Sequence, residues 1–289
     1  MPELPEVETV RRGLSGLIVG KTIKAETHDT EKGFPNAPSD VVTFLLGATI
    51  QGVHRRAKVL MIELNNDYSV IIHLKMTGQL VYVDPSTRFG AGHPNDSLVH
   101  ALPDKSTRVS LIFTDGSTLF FNDQRKFGWV KLLPTSEIPL LPFMQKVGPE
   151  PLEATFTPEQ FADRFKRRAK TSIKAAILDQ SVVAGVGNIY ADETLWGAKV
   201  HPSRLVGSIT SGEFQLMYTE LRAVMNLSIE KGGSSNRNYV NAEGKRGSYM
   251  DFANVFRREG LPCPRCGTTI EKLRVAGRGT HICPHCQVI

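Results

Sequence analysis

The sequence predicts an α+β protein of two domains: an N-terminal β-sandwich or barrel led by one helix, and a C-terminal helical domain closed by a four-cysteine ribbon. Three observations predict it. Val70, Ile72, Leu74 and Met76 alternate with other residues, as do Val109, Leu111 and Phe113 and then Leu119 and Phe121, the period of a strand with one buried face. After Pro134 the alternation gives way to helical spacing that lasts through 158–230. All four cysteines fall at Cys263, Cys266, Cys283 and Cys286, near the end of the 289 residues. That length exceeds one ordinary domain.

Taken in order, residues 1–18 carry two early prolines and then Val7, Val10, Leu14, Leu17 and Ile18 at helical spacing. Residues 41–131 read as strands. Asp115-Gly116 between two alternating runs is a hairpin signal. Residues 84–106, rich in Pro, Gly, Ser and Asn, read as one long loop. Five prolines in 134–151 mark a linker. Helices are expected over Thr171–Gln180 and Ile189–Ala198, joined by the turn from Ser181 to Asn188, with His201-Pro202 ending the second. Residues 232–250 are rich in Gly, Ser and Asn and read as a mobile stretch. No internal repeat is present.

Hydrophobic residues make up 40 % and charged residues 22 % of the chain, ordinary for a globular protein. No apolar run approaches the roughly 18 residues of a membrane span. The acidic start Met1-Pro-Glu-Leu-Pro-Glu-Val-Glu8 lacks the basic opening of a signal peptide, so the expected compartment is cytoplasmic. The net charge is +6, and residues 231–289 hold ten Lys/Arg against four acids, which is the whole excess. A basic C-terminal module suits an anionic partner such as nucleic acid; it also suits a solvated charged surface.

The cysteines follow C-x2-C-x16-C-x2-C. Two knuckles offer four thiolates, which fill tetrahedral zinc at about 2.3 Å per bond and leave no open position. One structural Zn2+ is therefore expected. Two disulfides are the alternative, disfavoured in a reducing compartment.

Other motifs are weaker alone. Gly185-Val-Gly187-Asn188 opens a helix, where backbone N–H groups and the helix dipole favour a phosphate. It also reads as a plain turn with Asn188 as N-cap. Once Met1 is removed, Pro2 becomes a secondary amine; an α-amino group titrates near about 7.7–8.0, so part of it is nucleophilic at neutral pH. Glu3 stands beside it as an acid or base, although Met-Pro starts are common. Arg125 and Phe127 are two apart in Asn122-Asp-Gln-Arg-Lys-Phe-Gly128. They suit an intercalating wedge with a base-edge donor, or a core phenylalanine beside a surface arginine.

Together these residues resemble one family. Pro2-Glu-Leu-Pro-Glu-Val-Glu-Thr9, His73-Leu-Lys-Met76-Thr-Gly78, Asp123-Gln-Arg125-Lys-Phe127-Gly128, Gly185-Val-Gly-Asn-Ile-Tyr190 and the cysteine ribbon occur in this order. The chain resembles the bacterial formamidopyrimidine-DNA glycosylases over essentially its full length.

The resemblance implies an N-terminal catalytic β-sandwich over 1–133, a linker over 134–151 and a helix–two-turn–helix DNA-binding domain over 152–231. A lesion-capping loop with its approach over 232–254 and the zinc ribbon over 255–289 complete the chain. It implies a monomeric bacterial enzyme acting at the nucleoid, which excises oxidised purines (formamidopyrimidines, 8-oxoguanine) from double-stranded DNA. The abasic strand is then cleaved by β,δ-elimination. By the same resemblance Pro2 is the Schiff-base nucleophile and Glu3 the acid that assists base and sugar opening. Lys58 serves β-elimination, and Arg278 grips phosphate and serves δ-elimination. Met76, Arg125 and Phe127 fill the hole left by the everted nucleotide, with Arg125 on the orphaned cytosine. His73, Lys170, Asn188 and Arg278 match phosphate contacts, and Lys174 a lysine near the lesion.

Two positions depart from the family. Ser106 stands where a histidine is frequent before Thr107-Arg108, leaving His93 or His100 of the 84–106 loop as replacements, and Phe256-Arg257-Arg258 stands where Tyr-Gly-Arg is usual. The nearest rival is an endonuclease VIII-like glycosylase acting on oxidised pyrimidines; Pro2-Glu-Leu-Pro5 and the 232–249 stretch resemble the purine branch instead. A catalytically inert lesion sensor is the other rival, and intact Pro2, Glu3 and Lys58 argue against it.

Overall fold

The computed structural model describes residues 2–93, 95–234 and 248–289; most of the expected lesion-capping loop lies outside the described residues. The chain forms two compact units. The first holds Met1–Gln145 and Lys231–Ser248; the second holds Lys146–Glu230 and Tyr249–Ile289. Among the described residues no helix is long and apolar enough to cross a membrane.

In the first unit, helix α1 (Leu4–Ile18) starts at a capping box made by Glu3 and Glu6, with Pro5 in its first turn. Strands β1 (Ile23–His28), β2 (Ile50–Arg56), β3 (Val59–Leu64), β4 (Tyr68–His73), β5 (Gly78–Val83), β6 (Arg88–Gly92), β7 (Thr107–Phe113), β8 (Thr118–Asp123) and β9 (Trp129–Pro134) follow. They build a five-stranded sheet in the order β1-β7-β8-β5-β6 and a four-stranded sheet in the order β2-β3-β4-β9. Neighbouring strands run antiparallel throughout both sheets. One core joins the sheets: Val7, Val10, Leu14 and Ile18 of α1 pack with Leu60, Ile62 and Ile72 from one sheet and Tyr82, Phe113 and Phe121 from the other. The unit is thus a sandwich with its leading helix seated on both sheets.

Three expectations change here. The 84–106 loop contains strand β6, because Phe89 is buried against α1. A Cβ on Gly13 would sit 2.1 Å from the Phe89 ring, so the helix needs glycine there. Residues 38–45 are helical, with α2 (Pro38–Asp40) running into a π-type turn at Val41–Leu45. The proline-rich 134–151 stretch is not an open tether: Ile138, Leu141, Phe143 and Met144 pack on Val59 and Ile71 of the four-stranded sheet, and α3 (Pro142–Lys146) lies in it.

The second unit carries α4 (Pro158–Phe165), α5 (Ile173–Leu178), α6 (Asn188–Gly197) and α7 (Ser211–Glu230), then the hairpin β10 (Glu271–Val275) and β11 (Arg278–Ile282). Thr157 and Gln160 form a capping box on α4. Phe161 and Phe165, 5.0 Å apart by centroid, meet Phe214 of α7. Two successive turns join α5 to α6. Gln180 holds them together, accepting from Gly185 N at 3.0 Å and donating to Val186 O at 2.8 Å. Both expected helices are present: the first is two residues shorter at each end, and the second keeps its length but starts and ends one residue earlier. Gly187 is the N-cap of α6, so Asn188 is its first helical residue rather than its cap.

Candidate active site and nucleic-acid interface

The first unit presents three turns that carry expected site residues. Lys58 lies in the β2–β3 turn and is buried. Met76 lies in the β4–β5 turn and Arg125 and Phe127 in the β8–β9 loop; all three are exposed, Phe127 by 47 %. Each turn contains a non-glycine residue in the left-handed region: Ala57 (φ 52°), Lys75 (φ 50°) and Lys126 (φ 55°). Such backbone is costly and persists only where its surroundings hold it.

For the two exposed turns, the holder is Asp123, fully buried at the end of β8. Its Oδ2 accepts from Phe127 N at 2.8 Å and Gly128 N at 2.7 Å, and its Oδ1 accepts from Arg125 N at 3.2 Å and from the Thr77 hydroxyl. Thr77 Oγ1 in turn accepts from Arg125 N at 3.0 Å. One carboxylate thereby fixes the Arg125–Phe127 loop to the turn bearing Met76. The Arg125 guanidinium lies 4.8 Å from the centre of the Phe127 ring, which pre-sets both side chains. Buried Arg108 braces the loop from behind, donating to Asp123 O at 2.7 Å and to Asp29. A Cβ on Gly128 would lie 2.9 Å from His73 O, which explains the glycine.

Lys58 is anchored through its neighbour. Arg55 donates to Ala57 O at 2.9 Å and to Glu8 Oε2 at 3.2 Å, which ties the turn to α1. Burial alone would raise the Glu8 pKa. Hydrogen bonds from Arg11 and Arg12 and the charges of Arg11 and Arg55 instead bring it down to about 2. Glu8 is therefore held as an anion by its arginine partners.

His73 closes β4, half-buried and edge-on to Trp129 at 5.8 Å. Burial first, then the charges of Lys75 and Lys58, push its pKa down to about 3. Its Nδ1 accepts from Lys75 N at 3.0 Å, so the neutral ring carries its proton on Nε2, as a donor. A histidine depressed in this way favours the folded state fully above about pH 6.5 and progressively less as pH falls toward 3.

At the head of α1, Pro2 and Glu3 are buried. Glu6 accepts from Glu3 N at 2.8 Å with Oε2 and from Ser234 N at 2.8 Å with Oε1. Ser106, where the family often has histidine, is buried: its hydroxyl donates to Asp104 at 2.7 Å and lies 2.9 Å from Ser97 Oγ. It serves the fold, while His100 is exposed.

In the second unit, Arg278 is exposed at the start of β11, after a turn with Ala276 and Gly277 both left-handed. Asn188 Nδ2 donates to Gly279 O at 2.9 Å, which puts the α6 N-terminus beside Arg278. Lys170 is exposed before α5. Lys174, expected near the lesion, is fully buried, its ammonium on fully buried Asp192.

The four cysteine sulfurs lie within 4.8 Å of one another, with Cys266 at 3.5 Å from both Cys283 and Cys286, and none is in a disulfide. Sulfurs around tetrahedral zinc stand about 3.8 Å apart, as follows from bonds of about 2.3 Å, so the set fits that ion. The ribbon is fastened to α6. Arg265, between two ligands, donates to Trp196 O at 3.0 Å and stacks on the Trp196 ring at 4.0 Å. Fully buried Glu193 accepts four hydrogen bonds of 2.8–2.9 Å from Asn254, Val255 and Phe256.

Sequence reasoning missed Glu8, Arg55, Asp123, Arg108, Asp192 and Glu193. Glu8 had a signal in Arg11 and Arg12 at i+3 and i+4. Asp123 accepts from three backbone N–H groups two to five residues on, within the Asp123–Gly128 motif, while Arg55, Arg108, Asp192 and Glu193 make their decisive bonds across long separations and leave no local signal.

Family models cover this frame in order. The formamidopyrimidine-DNA glycosylase N-terminal domain matches residues 1–130, the formamidopyrimidine-DNA glycosylase H2TH domain residues 147–239, and a zinc finger found in FPG and IleRS residues 260–288. The chain belongs to the formamidopyrimidine-DNA glycosylase family. The formamidopyrimidine-DNA glycosylase of Ligilactobacillus salivarius is 41 % identical over 289 residues, covering 100 % of this chain and 99 % of that one. That of Herpetosiphon aurantiacus is 43 % identical, covering 99 % and 100 %. Lactococcus lactis Fpg, solved in complex with DNA containing an abasic site, superposes with a TM-score of 0.86 at 35 % identity, covering 99 % of each chain. The MutM (Fpg) protein of Thermus thermophilus superposes with a TM-score of 0.83 at 37 % identity, covering 99 % of this chain and 98 % of that one. The two sheets, the two-turn helix pair and the cysteine ribbon are thus the family's parts in the family's order.

Proposed function

We propose that this chain excises oxidised purines, formamidopyrimidines and 8-oxoguanine, from duplex DNA and then cleaves the abasic strand. The observation that carries this reading is the gathering of Met76, Arg125 and Phe127 on two turns bound to one buried carboxylate, Asp123. A base within a duplex hides its sugar C1′, so the nucleotide must leave the stack. Eversion costs a few kcal/mol, part of which inserted side chains offset. Arg125, already stacked on Phe127, suits the donor to the widowed cytosine. Solved complexes of Lactococcus lactis Fpg with N7-benzyl-Fapy-dG DNA and with oxidised-pyrimidine DNA fit a site of this kind.

In the reaction, the Pro2 nitrogen, exposed once Met1 is removed, attacks C1′ as the C1′–N9 bond breaks. The base departs with a proton, and Glu3 assists opening of the sugar. The resulting iminium acidifies C2′. Loss of that proton expels the 3′ phosphate, a second elimination expels the 5′ phosphate, and water then frees Pro2. Lys58 serves the first elimination and Arg278 the second. His73, Lys170 and Asn188 hold backbone phosphates, positioning the strand without reading sequence. The bacterial relatives suit action on nucleoid DNA in the cytoplasm.

Trapping with borohydride on 8-oxoguanine and thymine glycol duplexes tests the whole reading. A covalent adduct is expected on both, with faster excision of 8-oxoguanine paired with cytosine. A preference for thymine glycol would move the chain to the pyrimidine branch, and binding without any adduct would leave it a lesion sensor.

One structural zinc on Cys263, Cys266, Cys283 and Cys286 would fold the ribbon that presents Arg278; it supplies stability and no reaction step. Cys263→Ser should therefore lower zinc content and weaken duplex binding by about tenfold or more, since structural zinc contributes folding energy directly. Unchanged zinc and unchanged affinity would contradict this.

A further inference from the structure

Lys174 and Asp192 are both fully buried in the second unit, with the Lys174 ammonium on Asp192 Oδ1. The other carboxylate oxygen, Oδ2, accepts from His281 N at 3.0 Å and lies 3.1 Å from His281 Nδ1. Asn188, four residues earlier on α6, donates to Gly279 O at 2.9 Å. Gly279 and His281 are two apart on β11. Four residues of helix rise about 6 Å, and two residues of strand about 6.6–6.8 Å. The helix therefore grips the strand at two matched points, and Arg278 is the residue just before the first.

We infer that Lys174 is a positioning residue: it acts through Asp192 on β11, setting the hairpin that presents Arg278, and does not touch the lesion. A buried carboxylate holding β11 needs an opposite charge to stay ionised, and the Lys174 ammonium is that charge. For Lys174 to reach DNA it would have to leave Asp192, exchanging a fully buried ion pair for a buried anion held by His281 alone. The inference rests on the proposed glycosylase function only in its activity readout.

Variants K174M, D192N and K174M/D192N test it, measured by thermal unfolding, zinc content, affinity for a duplex with a tetrahydrofuran abasic analogue, and excision of 8-oxoguanine. K174M should weaken binding to the analogue and to 8-oxoguanine duplexes by the same factor, about tenfold, the size of coupling between contacting groups. It should also shift the cleavage products from δ- toward β-elimination, a partition that reports on Arg278 and that a general loss of stability would not move. The double variant removes both buried charges, while the amide carbonyl that D192N introduces can still accept from His281 N. It should be more stable than K174M and recover affinity, product partition and 8-oxoguanine excision to within about threefold of the unsubstituted protein.

If Lys174 instead contacts the lesion, the double variant will bind the analogue normally yet remain at least tenfold slow on 8-oxoguanine, and the inference fails. A double variant no more stable than K174M, or unfolded, denies the coupling and overturns it equally. Failure of the glycosylase reading appears separately, as absence of excision by the unsubstituted protein. The stability and analogue-binding comparisons still decide the role of Lys174 in that case.

Discussion

Replacing Pro2 by glycine should leave duplex affinity within about threefold while lowering the borohydride-trapped adduct by about tenfold or more, because a pre-shaped secondary amine gives way to a less committed primary one. Pro2 is buried at the head of α1, directly before the capping box of Glu3 and Glu6. That placement holds its nitrogen by the helix rather than on a loose end. In the proposed reading binding draws on other residues, Lys170, Asn188 and Arg278 in the second unit among them, and so should survive. Mass spectrometry of the trapped complex locates the attacking residue and reads the processed terminus together. Trapping at the unsubstituted level in the glycine variant would place the nucleophile elsewhere. Protein that retains Met1 has an amide at that nitrogen and should neither trap nor nick.

The second large effect is expected at Asp123. Asp123→Ala removes the acceptor of three backbone N–H groups and the Thr77 hydroxyl. An unsatisfied buried donor costs about 1–3 kcal/mol, so a loss of about 3 kcal/mol or more in stability is expected. Losing the carboxylate should also release Arg125 and Phe127 from their shared geometry. Excision opposite cytosine should then fall by about tenfold, with the preference for cytosine over adenine opposite the lesion largely lost, since orientation of the inserted pair sets it. Asp123→Asn, which keeps one accepting oxygen, should fall between. Lys126→Ala is the control: its contact with Asp29 at 3.3 Å is exposed, worth about 0–1 kcal/mol. An alanine variant at position 123 with unaltered opposite-base preference would show that the loop orders itself without this carboxylate.

Several features are legible in the sequence alone. The Asp115-Gly116 hairpin, the leading helix and the two-turn helix pair follow from local pattern, and so does the cysteine spacing, because each is written in neighbouring residues. Strand β6 is not legible there: its residues, Arg88-Phe-Gly-Ala-Gly92, have turn composition, and only the meeting of Phe89 with Gly13 on a distant helix makes them a strand. Asn188 looks like an N-cap by its position, yet it is the first helical residue and its amide donates one hydrogen bond to Gly279, 91 residues away.

By itself the sequence determined the order of parts and the four-cysteine set, since these depend on residue type and short spacing. The tertiary structure alone decided which buried acids hold the turns and the ribbon hairpin. Asp123 and Asp192 are ordinary letters in the chain, and each became an organiser because it lost its water and had to take every neighbouring donor. The same burial pairs Lys174 with Asp192, because an ammonium without solvent goes to the nearest carboxylate.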